Sequence, residues 1–130
     1  MAEISTAGIF RKDGLFLVAK RRPGGSMGGR WEFPGGKAEK GETAEEALAR
    51  EIREELGAQI TVGRYICETK FSNGAKEYIL KVFEAAFETP PGNLKEHQEL
   101  RWLRWDEIDS LELADSDREV YEKLKTYAQA

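Results

Sequence analysis

Between Thr43 and Gly57 the chain carries a helix whose acidic residues stand on its apolar side. Thr43-Ala44-Glu45-Glu46 has the form of a capping box, and Gly57 supplies a stop. Take about 100° per residue with Glu51 as the origin. Ala44, Leu48, Ile52 and Leu56 then fall near roughly 20°, 60°, 100° and 140°, with Ala47 near about 320°. That arc is the face a helix buries. Glu51 and Glu55 lie within it, and Glu54 sits at its edge. Buried unpaired carboxylates are costly, and Glu51 and Glu55, one turn apart, repel each other. A divalent cation among them removes the conflict, and glutamate oxygens suit Mg²⁺, with Mn²⁺ as the alternative. The other way out is neutralisation by Arg50 and Arg53 on a surface helix.

The rest of the chain supplies strands for this helix to pack on. Ile4–Phe10 and Leu15–Ala19 are apolar runs joined through Lys12-Asp13-Gly14, a hairpin signal. A glycine-rich loop over 23–29 leads to a short strand, Arg30–Phe33, and then to Pro34-Gly35-Gly36. Beyond the helix, Ile60–Phe71 and Lys76–Phe87 form a second hairpin around Ser72-Asn73-Gly74. Leu100–Leu103 reads as a strand and Trp105–Leu111 as a helical turn. Ser116-Asp117-Arg118-Glu119 reads as a capping box for a last helix carrying Val120, Leu124, Tyr127 and Ala128. The order β-β-β-α-β-β-β-α predicts a single α+β domain over 1–130, a mixed sheet with one helix on each side.

Composition narrows the chemistry. One cysteine (Cys67) and one histidine (His97) exclude an intramolecular disulfide, a cysteine-based zinc site and any two-histidine mechanism. Met1-Ala2-Glu3-Ile4 carries no basic leader followed by an apolar run, so no signal peptide is expected, and a cytoplasmic location fits. A net charge of −4 argues against a nucleic-acid polymer or a membrane as partner. The charge is segregated, however. Residues 11–35 hold six basic groups against two acids, and residues 36–58 hold seven glutamates against four basic groups. A basic segment beside a glutamate cluster is what a metal–polyphosphate site needs.

From Gly36 the chain reads Gly-x5-Glu-x7-Arg-Glu-Ile-x-Glu-Glu-x-Gly-Ala, the fixed positions being Gly36, Glu42, Arg50, Glu51, Ile52, Glu54, Glu55, Gly57 and Ala58. At this chain's own composition the charged and glycine positions coincide by chance with odds of roughly 4 × 10⁻⁷ per window. The pattern resembles the signature of the Nudix hydrolases, which cleave a nucleoside diphosphate linked to another group. Only the last position departs, since a bulkier aliphatic residue than Ala58 is usual there. The resemblance implies an α/β/α sandwich. It also implies a metal site built from Glu51, Glu54, Glu55 and the Gly35 carbonyl, with Arg50 orienting a carboxylate and Glu51 as the expected general base. Lys37, just past the turn, can reach a phosphate oxygen.

Trp31-Glu32-Phe33-Pro34-Gly35-Gly36-Lys37 and Lys20-Arg21-Arg22 resemble the MutT-type branch of the family, which hydrolyses nucleoside triphosphates to monophosphates. That branch includes the 8-oxo-dGTP diphosphatases, which clear oxidised nucleotides and so serve DNA replication and repair. Lys95-Glu96-His97-Gln98 followed by Trp102 resembles the branch's loop that adds a fourth carboxylate, which makes Glu96 a metal ligand and gives His97 no role. Arg21 or Arg22 is expected to face the nucleotide. Either Trp31 or Phe33 is expected to stack on the base, with Phe33 the candidate. Leu113-Ala114-Asp115-Ser116 offers Asp115 where the oxidised-purine enzymes place an amide against the base. Asp115 also suits a cytosine, so CTP or dCTP is the alternative substrate. A nucleotide conjugate such as ADP-ribose, and a non-catalytic binding module, are the remaining readings. The first lacks its proline-rich motif here, and the second would be expected to lose box glutamates. The resemblance implies a small nucleotide as partner, to a monomer or a homodimer.

Overall fold

The computed structural model describes residues 2–24, 28–92, 94–95 and 97–129, and the side chain of Gln129 is not among the described parts. Among the described residues six strands and four helices follow in the order β1 (Glu3–Lys12), β2 (Leu15–Arg21), β3 (Trp31–Glu32), α1 (Ala44–Leu56), β4 (Ile60–Asn73), β5 (Lys76–Phe87), β6 (His97–Leu103), α2 (Trp105–Ile108), α3 (Asp115–Lys123) and α4 (Lys125–Gln129). The β1–β2 turn takes Asp13 and Gly14 to φ 53° and 78°. Both central residues are left-handed, as a two-residue hairpin that continues the strand twist requires.

The mixed sheet runs β3-β2-β1-β5-β4, and β6 pairs with β2. β1 lies parallel to β5 over eight residue pairs, from Glu3↔Tyr78 to Phe10↔Ala85. β1 and β2 pair only beside their turn, at Arg11↔Phe16 and Lys12↔Leu15. They then separate, and the vacated edge of β1 is taken by the segment 34–38. Gly8 N–H donates to Pro34 O (2.7 Å), Thr6 N–H to Gly36 O (2.8 Å) and Ala38 N–H to Ile4 O (2.9 Å). The diglycine turn is thereby tied to a central strand.

Strand alternation divides the core into two layers. Ala7, Ile9, Phe16, Val18, Leu80 and Val82 face α3 and α4, where they meet Val120, Tyr121 and Leu124. Phe10, Leu17, Phe83 and Ala85 face α1 and meet Leu48, Ile52 and Leu56. Leu48, Ile52 and Leu56 are fully buried, contributing about 1.5–3 kcal/mol each. The expected helix on each side of a mixed sheet is present. Among the described residues no helix is long and apolar enough to cross a membrane.

Two elements differ from the sequence expectation. β6 begins at His97 rather than Leu100, because a register shift between Lys20↔Glu99 and Arg21↔His97 lets the strand continue past an extra residue. The last helix begins at Asp115 with Ala114 as its N-cap and without a side-chain cap, and it breaks at Leu124. Ser116 therefore lies inside the helix rather than capping it. The cause is a tether: Ala114 N–H donates to Trp31 O (3.0 Å) and Trp31 N–H to Glu112 O (2.9 Å), so the chain turns helical directly beside β3.

Candidate active site

Helix α1 forms with its box complete. Thr43 Oγ1 accepts from Glu46 N–H (3.1 Å), and Glu46 returns to Thr43 N–H (2.9 Å). At the other end Gly57 adopts φ 63°. Carbonyls of the last turn are closed from outside, Leu56 O by Gly92 N–H (2.7 Å) and Glu55 O by Lys95 N–H (3.2 Å). Helix and turn thus present Glu51, Glu54 and Glu55 to a recess of about 700 Å³ that Arg21, Gly35, Gly36, Lys37 and Lys95 complete.

The glycines are there for proximity. A Cβ at Gly35 would collide with Thr6 O, and one at Gly36 with the Glu51 carboxylate. Glu51 lies directly over bare backbone. Thr6 Oγ1 donates to Gly36 O at 2.9 Å and holds that backbone still.

Arg50 organises the acids. Its Nε and Nη2 donate to the two oxygens of Glu42 (2.7 and 3.0 Å), its Nη1 to Glu51 Oε1 and Glu54 Oε1 (both 3.0 Å), and its Nη2 also to Lys37 O (3.0 Å). This guanidinium, assisted by the Glu39 backbone, holds Glu42 below the usual carboxylate range. The carboxylates in turn raise the Arg50 pKa further. The donor set of the recess is all oxygen, with neither imidazole nor thiolate, which fits a hard divalent cation. Among the described residues no three acidic, histidine or cysteine side chains are placed so as to hold a metal ion by themselves. A small cation that keeps waters and shares substrate phosphates does not need such a set. Glu96 lies outside the described residues.

A second recess, of about 200 Å³, opens from the first past Arg21, Gly35, Gly36 and Lys37. Glu32, Phe33, Phe71, Ser116 and Asp117 line it. Asp117 is 6% exposed. Its Oδ1 accepts from Phe33 N–H at 2.8 Å, and Ser116 Oγ donates to its Oδ2 at 3.4 Å. Burial first, and the nearby Glu32 charge second, push the Asp117 pKa up to about 8. Glu32 is held by Arg21 Nη1 at 3.3 Å and by His97 Nε2 at 2.7 Å. Such a bilobed cleft is in the range of small-molecule sites, about 300–1,000 Å³.

The structure brings Gly35, Lys37, Glu51, Glu54, Glu55 and Arg21 together. It does not bring Arg22, whose guanidinium donates to Lys95 O (3.0 Å) and Leu94 O (3.2 Å), nor Asp115, whose side chain is 97% exposed and pairs with Arg30. Asp115 faces outward because the helix starts at that residue, and Asp117 two positions on shares the buried arc with Val120, Tyr121 and Leu124. Trp31 and Phe33, two residues apart and so on one face of extended chain, both belong to the same core cluster. Phe33 stacks on Trp105 (centroids 5.7 Å apart) and still borders the second recess. Lys37 Nζ sits 4.9 Å above the Tyr78 ring. Sequence reasoning missed Thr6, Glu32, Lys95, His97 and Asp117. The signal for Asp117 was its i, i+3, i+4, i+7 spacing with Val120, Tyr121 and Leu124, an acid on an apolar stripe.

The NUDIX domain family model matches residues 2–124. The chain is 35% identical over 111 residues to the CTP pyrophosphohydrolase of Escherichia coli K12, covering 85% of this chain and 82% of that protein. It is 47% identical over 58 residues to the 8-oxo-dGTP diphosphatase of Proteus vulgaris, covering 45% of this chain and 52% of that one. The crystal structure of the MutT protein from Methanosarcina mazei Go1 superposes with a TM-score of 0.86 at 26% identity, covering 99% of this chain and 96% of that one. With the box on α1, the diglycine turn and the sandwich fold in agreement, this chain is an enzyme of the Nudix hydrolase family.

Proposed function

We propose that the protein hydrolyses a (deoxy)nucleoside triphosphate to the monophosphate and pyrophosphate, with oxidised nucleotides such as 8-oxo-dGTP as its substrates. The observation that carries this reading is the junction of the two recesses. An acidic lobe and a smaller lobe with a base-reading edge meet across Arg21, Gly35, Gly36 and Lys37. A triphosphate laid across that junction has its phosphates among Arg21, Lys37 and Lys95, and its nucleoside beside Glu32 and Asp117.

Glu51, Glu54, Glu55 and the Gly35 carbonyl hold the divalent cation, Mg²⁺ in this reading and Mn²⁺ in the alternative, with Glu96 as a further ligand. When bound, such an ion polarises the phosphoryl oxygens, stabilises the leaving pyrophosphate and lowers the pKa of water. Arg50 occupies Oε1 of Glu51. Its Oε2, lying over Gly36, remains for the cation or for the proton of the attacking water. Water adds at the phosphorus on the nucleoside side of the α–β bridge, and pyrophosphate leaves.

In the second lobe Asp117 keeps its proton at neutral pH and can donate, while Glu32 accepts. An oxidised guanine edge offers N–H groups to Glu32 and an oxygen to Asp117. A cytosine offers its amino group and ring nitrogen to the same pair. CTP or dCTP is the second reading, favoured by the 35% identity to a CTP pyrophosphohydrolase across most of the chain. The test is kcat/KM with Mg²⁺ over canonical and oxidised nucleoside triphosphates, ADP-ribose and diadenosine polyphosphates. Pyrophosphate as first product supports the reading. Inorganic phosphate as first product, or ADP-ribose as best substrate, overturns it.

A further inference from the structure

His97 is the chain's single histidine, and it is completely buried. Its Nε2 lies 2.7 Å from Glu32 Oε2. Its Nδ1 is equally buried and, among the described residues, has no hydrogen-bond partner. A proton on Nδ1 would be a buried donor with nothing to receive it, which is expensive. A proton therefore belongs on Nε2, where it is donated to Glu32.

A local fault in the sheet makes this contact. In a regular antiparallel ladder Arg21 would face Gln98, because Lys20 faces Glu99. Instead Arg21 faces His97, and Gln98 is the extra, exposed residue of a bulge. Bulges re-aim side chains beside active sites. This one directs an imidazole through the core at a carboxylate whose other face lines the second recess. Filling that volume would need only an apolar side chain. Among the described residues, the one ring nitrogen with a hydrogen-bond partner is the one aimed at Glu32.

The two partners of Glu32 differ in freedom. The Arg21 side chain is 34% exposed and borders both lobes, so a triphosphate can recruit it. His97 has no such alternative. We propose that His97 is a positioning residue: its Nε2–H holds the Glu32 carboxylate turned into the nucleoside lobe and so sets which base the enzyme prefers. This inference rests on the reading of the second lobe as the base site.

The test compares His97→Phe, which keeps the ring volume without a donor, with His97→Gln, which keeps an N–H near the Nε2 position. Each is assayed over the nucleotide panel and in a Glu32→Gln background. His97→Phe should lower kcat/KM for the best nucleotide by about tenfold, mainly through KM, with the poorest nucleotide little changed, so that the preference narrows. His97→Gln should restore most of that preference, and neither change should matter once Glu32 is Gln. An equal loss of kcat for every nucleotide, or a His97→Gln enzyme no better than His97→Phe, overturns the proposal. Should His97→Phe fail to fold, His97→Gln against Glu32→Gln still decides it. Imidazole ¹⁵N spectra of the single histidine give a reading independent of activity. The Nε2–H form, with its proton shift altered in Glu32→Gln, is expected. A ring protonated on Nδ1 alone, with no proton on Nε2, overturns the positioning role whatever the enzyme hydrolyses. A wild type that turns over no triphosphate but shows the expected ring overturns the substrate reading alone.

Discussion

The two lobes of the cleft handle acidic side chains in opposite ways. In the first, Arg50 bonds Glu42, Glu51 and Glu54, and Glu42 is held below the usual carboxylate range. In the second, Asp117 is buried next to Glu32 and pushed up to about 8. In the first lobe a guanidinium favours the ionised form of Glu42. In the second, burial favours the protonated form of Asp117 beside Glu32. The lobes also differ in origin. The acids and glycines of the first come from a single helix and the turn before it, with Arg21 and Lys95 added from elsewhere. The second draws on β1, β2, β3, the β4–β5 hairpin and α3, with β6 behind it. Charge state follows from what surrounds each acid, a guanidinium in one case and core in the other.

The comparison breaks most visibly in the first lobe. Glu55→Gln should cut metal-dependent hydrolysis by about 10³-fold or more while leaving the circular dichroism spectrum unchanged. Chelation of the cation in wild type should do the same, and near-normal turnover in the variant would remove Glu55 from the metal site. Arg50→Lys should cost about 10–100-fold in activity, because a point charge cannot make the forked contact to Glu42 together with those to Glu51 and Glu54. Full activity would show that the acids keep their places without it.

Effects in the second lobe should be smaller and base-dependent. Asp117→Asn should change the ratio of kcat/KM between nucleotides by about tenfold rather than scale all rates. In wild type that ratio should change as pH rises through about 8, where Asp117 loses its proton. The Asn variant should lack that change. Stability carries the same signature. The folded state keeps the Asp117 proton up to about 8, whereas the unfolded chain releases it near 3.8. Between those values the unfolded chain binds fewer protons, so this group makes stability fall with rising pH. Melting temperatures of wild type and Asp117→Asn should therefore diverge from pH 4 to 8, the wild type losing ground. The smallest effect belongs to Asp115→Ala. An exposed pair with Arg30 is worth little, so rates should stay within about twofold for every nucleotide. A changed base preference there would return base recognition to Asp115.

The helix wheel made the first lobe legible. Glutamates on the apolar arc of 43–57 could be seen without any long-range contact, and so could the Asp-Gly hairpin and the two helices flanking a sheet. The same test applied to Asp117, Val120, Tyr121 and Leu124 would have singled out Asp117. The capping-box pattern at Ser116 drew the helix start two residues too late and left Asp115 as the apparent base contact. Glu32 stood in plain view between Trp31 and Phe33, but its partners Arg21 and His97 are 11 and 65 residues away. Nothing near any of the three announces the other two.

What the amino-acid sequence by itself determined was the acidic lobe and the frame that carries it. Those features depend on spacing along one helix and one turn, and local geometry converts spacing directly into position. Only the tertiary structure decided the second lobe. Its position depends on the parting of β1 from β2, on the pinning of residues 112–114 to β3, and on one bulged residue in β6. Each of these is set by hydrogen bonds between segments far apart in the chain.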